Sequence, residues 1–260
     1  MRALVGLRDS RGFLMSVALE TLYLLDQIVK TISSNGASLT KTKISRLLGR
    51  DPKELVGALE HGCEKKILIW SEGNWYNVKK DFIIAEDAFY PAAEAGLKRL
   101  WQDENFHDNE FFIENTSRKD SKIVGPWTRP DLTLISHKKY PWTIGREFDV
   151  VTFEIKRPDS CNVIAVFEAL SHASAATKAY AVFPVDHATW RKDNPAQESR
   201  VMDECSKHGI GLILIEDVYV APRAVHLIKA QKREIDHERC SDFLGAVMSE
   251  DAKSRLSEWK

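Results

Sequence analysis

Between residues 110 and 216 the chain carries five strand-length apolar runs, EFFIEN (110–115), DLTLIS (131–136), FDVVTFEIK (148–156), AYAVFPV (179–185) and IGLILIE (210–216). Their spacing constrains the fold more than any other feature. The first three lie close enough to be joined by turns. The last two each follow a helix-length segment, the Ala-rich NVIAVFEALSHASAATK (162–178) and NPAQESRVMDECSKHG (194–209), which Gly209 closes. A further helix is expected in AFYPAAEAGLKRLWQDENF, where Phe89, Leu97, Leu100 and Trp101 share one side. Helix, three strands, helix, strand, helix, strand predicts an α/β domain with a mixed β-sheet flanked by helices.

Two of these runs hold charges that a buried strand should lack. Asp131 opens the second run, and Glu154 and Lys156 end the third. Residues two apart on a strand face the same way, so Glu154 and Lys156 project together while Ile155 points into the core. If the two strands are neighbours, Asp131 joins them. Two carboxylates beside one lysine are costly to desolvate without a purpose. A divalent cation supplies one: Asp131 and Glu154 are hard oxygen ligands, and the Ile155 carbonyl is a candidate third. Lys156 would then orient or help to deprotonate a water for in-line attack on a phosphodiester.

Pro130-Asp131, some twenty residues, then Glu154-Ile155-Lys156 resembles the PD-(D/E)xK nuclease superfamily, and the resemblance covers roughly residues 85 to 220. EDAFYP (86–91) is similar to the first-helix pattern of such nucleases, in which an acid before an aromatic-Tyr-Pro turn faces the metal; Glu86 matches, and Glu94 matches less well. FEALSHASAATKAYAVFP resembles the helix that follows the lysine strand and lays polar side chains over the cleft. Glu168 and His172, four apart, share a helical face there. The resemblance implies a restriction-endonuclease-like fold and a Mg2+-dependent (or Mn2+-dependent) endonuclease, cutting DNA ahead of RNA and leaving 5′-phosphate and 3′-hydroxyl ends. Asp131 and Glu154 would bind metal, Lys156 would position the water, Glu86 would support a second ion or the first ion's water shell, and His172 would contact a phosphate or shuttle a proton. Such architectures are associated with prokaryotic antiviral defence. Structural readings stand beside these roles: Asp131 in a turn or paired with Arg129, Lys156 guarding an edge strand, Glu86 answering a helix dipole, Glu168 and His172 as an exposed pair.

The first third reads differently. MSVALETLYLLDQIVKTISS (15–34) has helical apolar spacing at Val17, Leu22, Leu25, Ile28, Val29 and Ile32, and LTKTKISRLLG offers a short helix stopped by Gly49. A third helix is expected from Asp51 as N-cap and Pro52 at the first helical position. ILIWSEGNWYNV then reads as two strands about a turn. That order resembles a winged helix-turn-helix over residues 15–80. Its third helix is a poor base reader, with Asp51, Glu54, Glu60 and Glu64 against Lys53, Lys65 and Lys66. Lys41, Lys43, Arg46 and Arg50 are the candidate nucleic-acid contacts, able to grip phosphates without reading bases; a protein-contact role stands as the alternative.

Charge separates the two parts: residues 1–80 hold 13 Lys and Arg against 8 Asp and Glu, and the remainder holds 24 against 30. The expected domains are therefore 1–82, winged helix; 83–225, nuclease-like; and 226–260, a charged C-terminal helical segment. A composition 43% hydrophobic and 29% charged is that of a soluble globular chain. No apolar run is long enough to span a bilayer, so no membrane partner is expected, and MRALVGLRDSRGF lacks the features of a signal peptide. The four cysteines are scattered singly, which argues against a zinc site and for a reducing cytoplasm. No G-x-S-x-G elbow and no Walker-type loop is present. HKKYPWTIGREF (137–148), joining the two charged strands, either presses Trp142, Lys138, Lys139 or Arg146 on nucleic acid or caps the sheet. The rival functions are a DNA- or protein-binding regulator with an inactive nuclease-like domain, and an RNA-directed or partner-dependent nuclease. A homodimer would place two sites on two strands of a duplex.

Overall fold

The computed structural model describes residues 4–8, 14–117 and 129–259, with side chains from residue 18 onward. The chain divides into two compact units, Met1–Ala88 and Phe89–Lys260.

In the first unit β1 (Leu4–Arg8) pairs antiparallel with β2 (Leu14–Ala18), which runs directly into α1 (Leu19–Asn35). The helix expected from residue 15 therefore starts four residues later, because strand pairing takes the backbone of 14–18 in spite of its helical spacing. The stretch read for a signal peptide lies partly outside the described residues. After β3 (Leu39–Thr40), the hydroxyl of Thr40 caps α2 (Lys41–Leu48) by accepting from the Lys43 amide at 3.3 Å. Gly49 closes that helix at φ 63°, where a side chain would be strained. α3 (Val56–Glu64) begins five residues after the expected Asp51 cap: Asp51 accepts from Lys53 N–H at 2.8 Å and holds a turn instead. β4 (Leu68–Ser71) and β5 (Trp75–Val78) complete a three-stranded sheet in the order β3-β5-β4. Leu25, Ile28, Ile32, Ile44, Leu55 and Leu59 fill the core.

The second unit starts with α4 (Tyr90–Asp103), continuous with a 3-10 turn, Glu86–Phe89, at the boundary of the two units. β6 (Phe111–Asn115), β7 (Leu132–Lys138) and β8 (Glu147–Ile155) form an antiparallel meander. α5 (Val163–His172) crosses to β9 (Lys178–Phe183), parallel to β8; α6 (His187–Asp193) and α7 (Pro195–His208) cross to β10 (Gly211–Glu216), parallel to β9. β11 (Arg223–Ile228) pairs antiparallel with β10, giving a mixed sheet in the order β11-β10-β9-β8-β7-β6. α8 (His237–Val247) and α9 (Glu250–Glu258) follow.

Three differences from the sequence reading have physical causes. α5 ends at His172, short of residue 178, because Thr177 and Lys178 are needed at β8: Thr177 Oγ1 accepts from Val150 N–H at 3.1 Å and donates to Asp149 at 2.8 Å. α6 was not foreseen. Residues 226–228, expected to begin a helical tail, belong to β11, which covers the edge that β10 would otherwise expose.

Helices lie on both faces of the sheet. Val150 and Phe153, three apart on β8, point to opposite sides. Phe153 meets Trp101 of α4 edge-on at 5.7 Å. Val150 packs with Phe243 and Leu244 of α8, and Val166, Val201 and Leu212 knit α5 and α7 onto β9 and β10. Each such side chain contributes about 1.5–3 kcal/mol on burial, so the end of β8 sits on a rigid base. Among the described residues no helix is long and apolar enough to cross a membrane.

Candidate metal centre

The β7–β8 ladder brings the charged residues together. Asp131 donates its amide to the Phe153 carbonyl at 3.1 Å and accepts the Ile155 amide on Oδ2 at 2.7 Å. These bonds carry strand pairing one residue beyond β7 and fix Asp131 against the end of β8. The other carboxylate oxygen, Oδ1, accepts a hydrogen bond from the Tyr90 hydroxyl at the start of α4. Ile155 has a fully buried side chain; its amide, rather than its side chain, serves the site.

Glu154 and Lys156 point to one side, as the period of two requires. Lys156 Nζ lies 2.7 Å from Glu154 Oε1 and 2.6 Å from Glu168 Oε2 on α5. His172, one helical turn beyond Glu168, places Nε2 3.3 Å from Glu154 Oε2. α5 is thereby locked across β8 by two side chains on one stripe. Glu168 and His172 are part of the cluster and not an exposed pair: His172 is 5% exposed. Burial by itself would raise the pKa of Glu154; the hydrogen bond from His172 and the charge of Lys156 outweigh it and hold the carboxyl below the ordinary range.

Glu86, on the 3-10 turn that becomes the first turn of α4, completes the acidic group. One carboxylate oxygen from each of Glu86, Asp131 and Glu154 lies within 4.8 Å of the others. Asp131 and Glu154 are each 8% exposed. Glu94, the weaker alternative, faces Lys98 at 2.8 Å.

The donor set tests whether these residues suit a cation. Glu86, Asp131 and Glu154 bring three carboxylates within 4.8 Å of one another, and Glu154 and Glu168 both meet Lys156. Like charges at this spacing in a low dielectric repel strongly. The donors are hard oxygens, the set that suits Mg2+ or Mn2+ and not zinc or copper. A divalent ion fits the spacing and the donor chemistry.

Tyr90 escaped the sequence reading as a site residue. It lies four positions on in the EDAFYP stretch that pointed to Glu86, and it reads there as part of a turn. Lys41, Lys43 and Arg46 of α2 and Arg50 after it all belong to the first unit; the last three are exposed, and Arg50 pairs with Glu54 at 3.3 Å. In the β7–β8 connection Lys138 is held by the Asn105 carbonyl at 2.9 Å and Arg146 by that of Trp259 at 2.9 Å, whereas Trp142 is almost fully exposed. No protein-family model matches the chain, and no curated protein matches it.

Proposed function

We propose that this chain is a metal-dependent nuclease of the PD-(D/E)xK type, built on a restriction-endonuclease-like core and carrying a winged-helix module. One observation carries the reading: at the end of a central strand three carboxylates lie within a cation's reach of one another, and one of them is paired with a lysine. The six-stranded mixed sheet flanked by helices, with this cluster across its two antiparallel central strands, supports it.

Asp131 and Glu154, with Glu86 and the Ile155 carbonyl, are the groups that would hold Mg2+ or Mn2+. Such an ion, when bound, polarises the phosphoryl group and acidifies coordinated water. Tyr90 and the Ile155 amide keep Asp131 in one orientation, so no reorganisation accompanies substrate entry. His172 does the same for Glu154. Lys156 presents its ammonium beside the phosphate and orients the attacking water. Glu168 keeps that ammonium aimed by a second short ion pair. The substrate is a phosphodiester of a nucleic acid, DNA ahead of RNA, with the basic residues of α2 gripping phosphates.

The test is cleavage of supercoiled plasmid, linear duplex, single-stranded DNA and RNA with magnesium, manganese or EDTA, beside Lys156→Ala protein. Metal-dependent cutting that the substitution abolishes is expected. Calorimetry showing no divalent-ion binding by folded wild-type protein would overturn the proposal and favour a binding module with a silent site.

A further inference from the structure

At the far end of β7 and β8 from the carboxylates, these two strands and helices α8 and α9 enclose a cavity of about 550 Å³. This lies within the size range of small-molecule sites, about 300–1,000 Å³. Its walls are apolar and aromatic, with Phe148 from β8, Leu244 from α8, and Leu256 and Trp259 from α9 and its end. Its charged lining is basic, Arg146 and Lys253, beside the neutral polar Ser241 and Ser257, and no acidic side chain lines it among the described residues. That is unusual ground in the acidic part of the chain, where residues 81–260 hold 24 Lys and Arg against 30 Asp and Glu.

Two further features point inward. His137 lies against Trp259 with ring centroids 4.3 Å apart. Its ring nitrogens are shielded from solvent, with the Asn109 backbone as a hydrogen-bonding neighbour. Burial first, and then the charge of Arg146, lower the pKa of this imidazole. A neutral imidazole retains one donor and one acceptor. The second feature is Gly245, inside α8 and on the cavity wall. Its backbone is not in the left-handed region, and an added Cβ would meet nothing within 4 Å. A larger side chain at this position would extend into the cavity without a backbone clash.

We propose that this cavity binds a small organic anion, its apolar or aromatic body against Phe148, Leu256 and Trp259 and its carboxylate or phosphate at Arg146 and Lys253. Arg146 is already held in place by the Trp259 carbonyl, which presents its planar fork to an acid group. Among the described residues Lys253 pairs with exposed Glu250, at 2.8 Å, a contact that a ligand acid readily replaces.

The test uses the full chain and the fluorescent probe anilinonaphthalene sulfonate, an aromatic anion. Saturable binding at one site is expected. Lys253→Glu should weaken it about tenfold, as loss and reversal of one desolvated charge implies, and Gly245→Phe should abolish it by filling the cavity. Circular dichroism and thermal unfolding would verify that both variants fold. Displacement by dodecanoate below its micellar concentration assigns an aliphatic acid, and displacement by adenosine monophosphate an aromatic phosphate; each supports the proposal. Non-saturable binding, equal binding by both folded variants, or displacement by dodecanol as effective as by dodecanoate would overturn it. The outcome is independent of metal binding or cleavage.

Discussion

β8 carries two buried acids five residues apart, and their surroundings are inverted. Asp149 is 5% exposed and meets Lys178 at 2.7 Å, Lys232 at 2.9 Å and the Thr177 hydroxyl at 2.8 Å. Glu147 shares Lys232, so two carboxylates face two ammonium groups. Glu154 is 8% exposed and meets Lys156 at 2.7 Å and His172 at 3.3 Å, with carboxylate oxygens of Glu86 and Asp131 within 4.8 Å. Burial would raise both pKa values, and their hydrogen-bonding and charged partners hold both below the ordinary range. The difference lies in the neighbouring carboxylates. Beside Asp149 the second acid, Glu147, is bound to a shared lysine, an ion-pair network that reads as architecture. Beside Glu154 two more acids bring their oxygens to one point, a spacing that suits a cation.

That contrast breaks or sharpens on five measurements. The largest effect is expected for Lys156→Ala, with cleavage reduced about a thousandfold, the loss associated with a positioned electrostatic donor. Retained cleavage would remove Lys156 from the chemistry. Next, Asp149→Ala should lower unfolding stability by about 3 kcal/mol in urea titrations, because Lys178 and the Thr177 hydroxyl lose their carboxylate and Lys232 is left with Glu147. Glu154→Gln should cost less, about 1 kcal/mol, because the lowered pKa shows that the fold favours the charged form while Lys156 keeps Glu168 as a partner. Equal losses in these two variants would make the two acids alike and end the distinction.

Magnesium at a hundredfold excess over its Kd should stabilise the wild type by about 2.7 kcal/mol by mass action, and Asp131→Asn should lose that gain. The same ion should leave the stability deficit of Asp149→Ala untouched. The acid side separates the groups again. The Asp149 pKa is depressed in the fold, so its stabilisation is present above its unfolded value, about pH 4, and is lost as pH falls through the lower folded value. Stability measured across pH 2–5 should therefore fall less steeply in Asp149→Ala than in the wild type, by roughly the difference that the ion pairs make. The smallest effect on the fold is expected for Arg46→Glu, less than about 0.5 kcal/mol. That variant should nevertheless weaken duplex binding and lower its salt slope by about one phosphate contact. Unchanged binding would assign α2 to protein contact.

Much of the site was legible because short-range geometry governs it. Glu154 and Lys156 share a side by the period of a strand, and Glu168 and His172 share one by the period of a helix; neither pairing needs knowledge of the rest of the chain. The meander, the two crossovers and the helix ends at Gly49 and Gly209 also follow from local signals. Tyr90 was hidden for the opposite reason: its partner Asp131 lies 41 residues away, and only packing of α4 against the sheet brings the two together. β11 was hidden because charged residues follow it in sequence, while its pairing with β10 is a tertiary event.

The sequence by itself determined which residue types stand at which intervals, and therefore a mixed α/β architecture with acids and a lysine at the ends of two strands. Only the tertiary structure decided that Glu86 joins the two strand acids, that His172 turns inward to Glu154, and that the same two strands end in a cavity lined by Arg146 and Lys253. Periodicity is a property of a few neighbouring residues. Charge balance and enclosed volume are properties of what comes from everywhere else in the chain, and desolvation makes their cost depend on all of those groups at once.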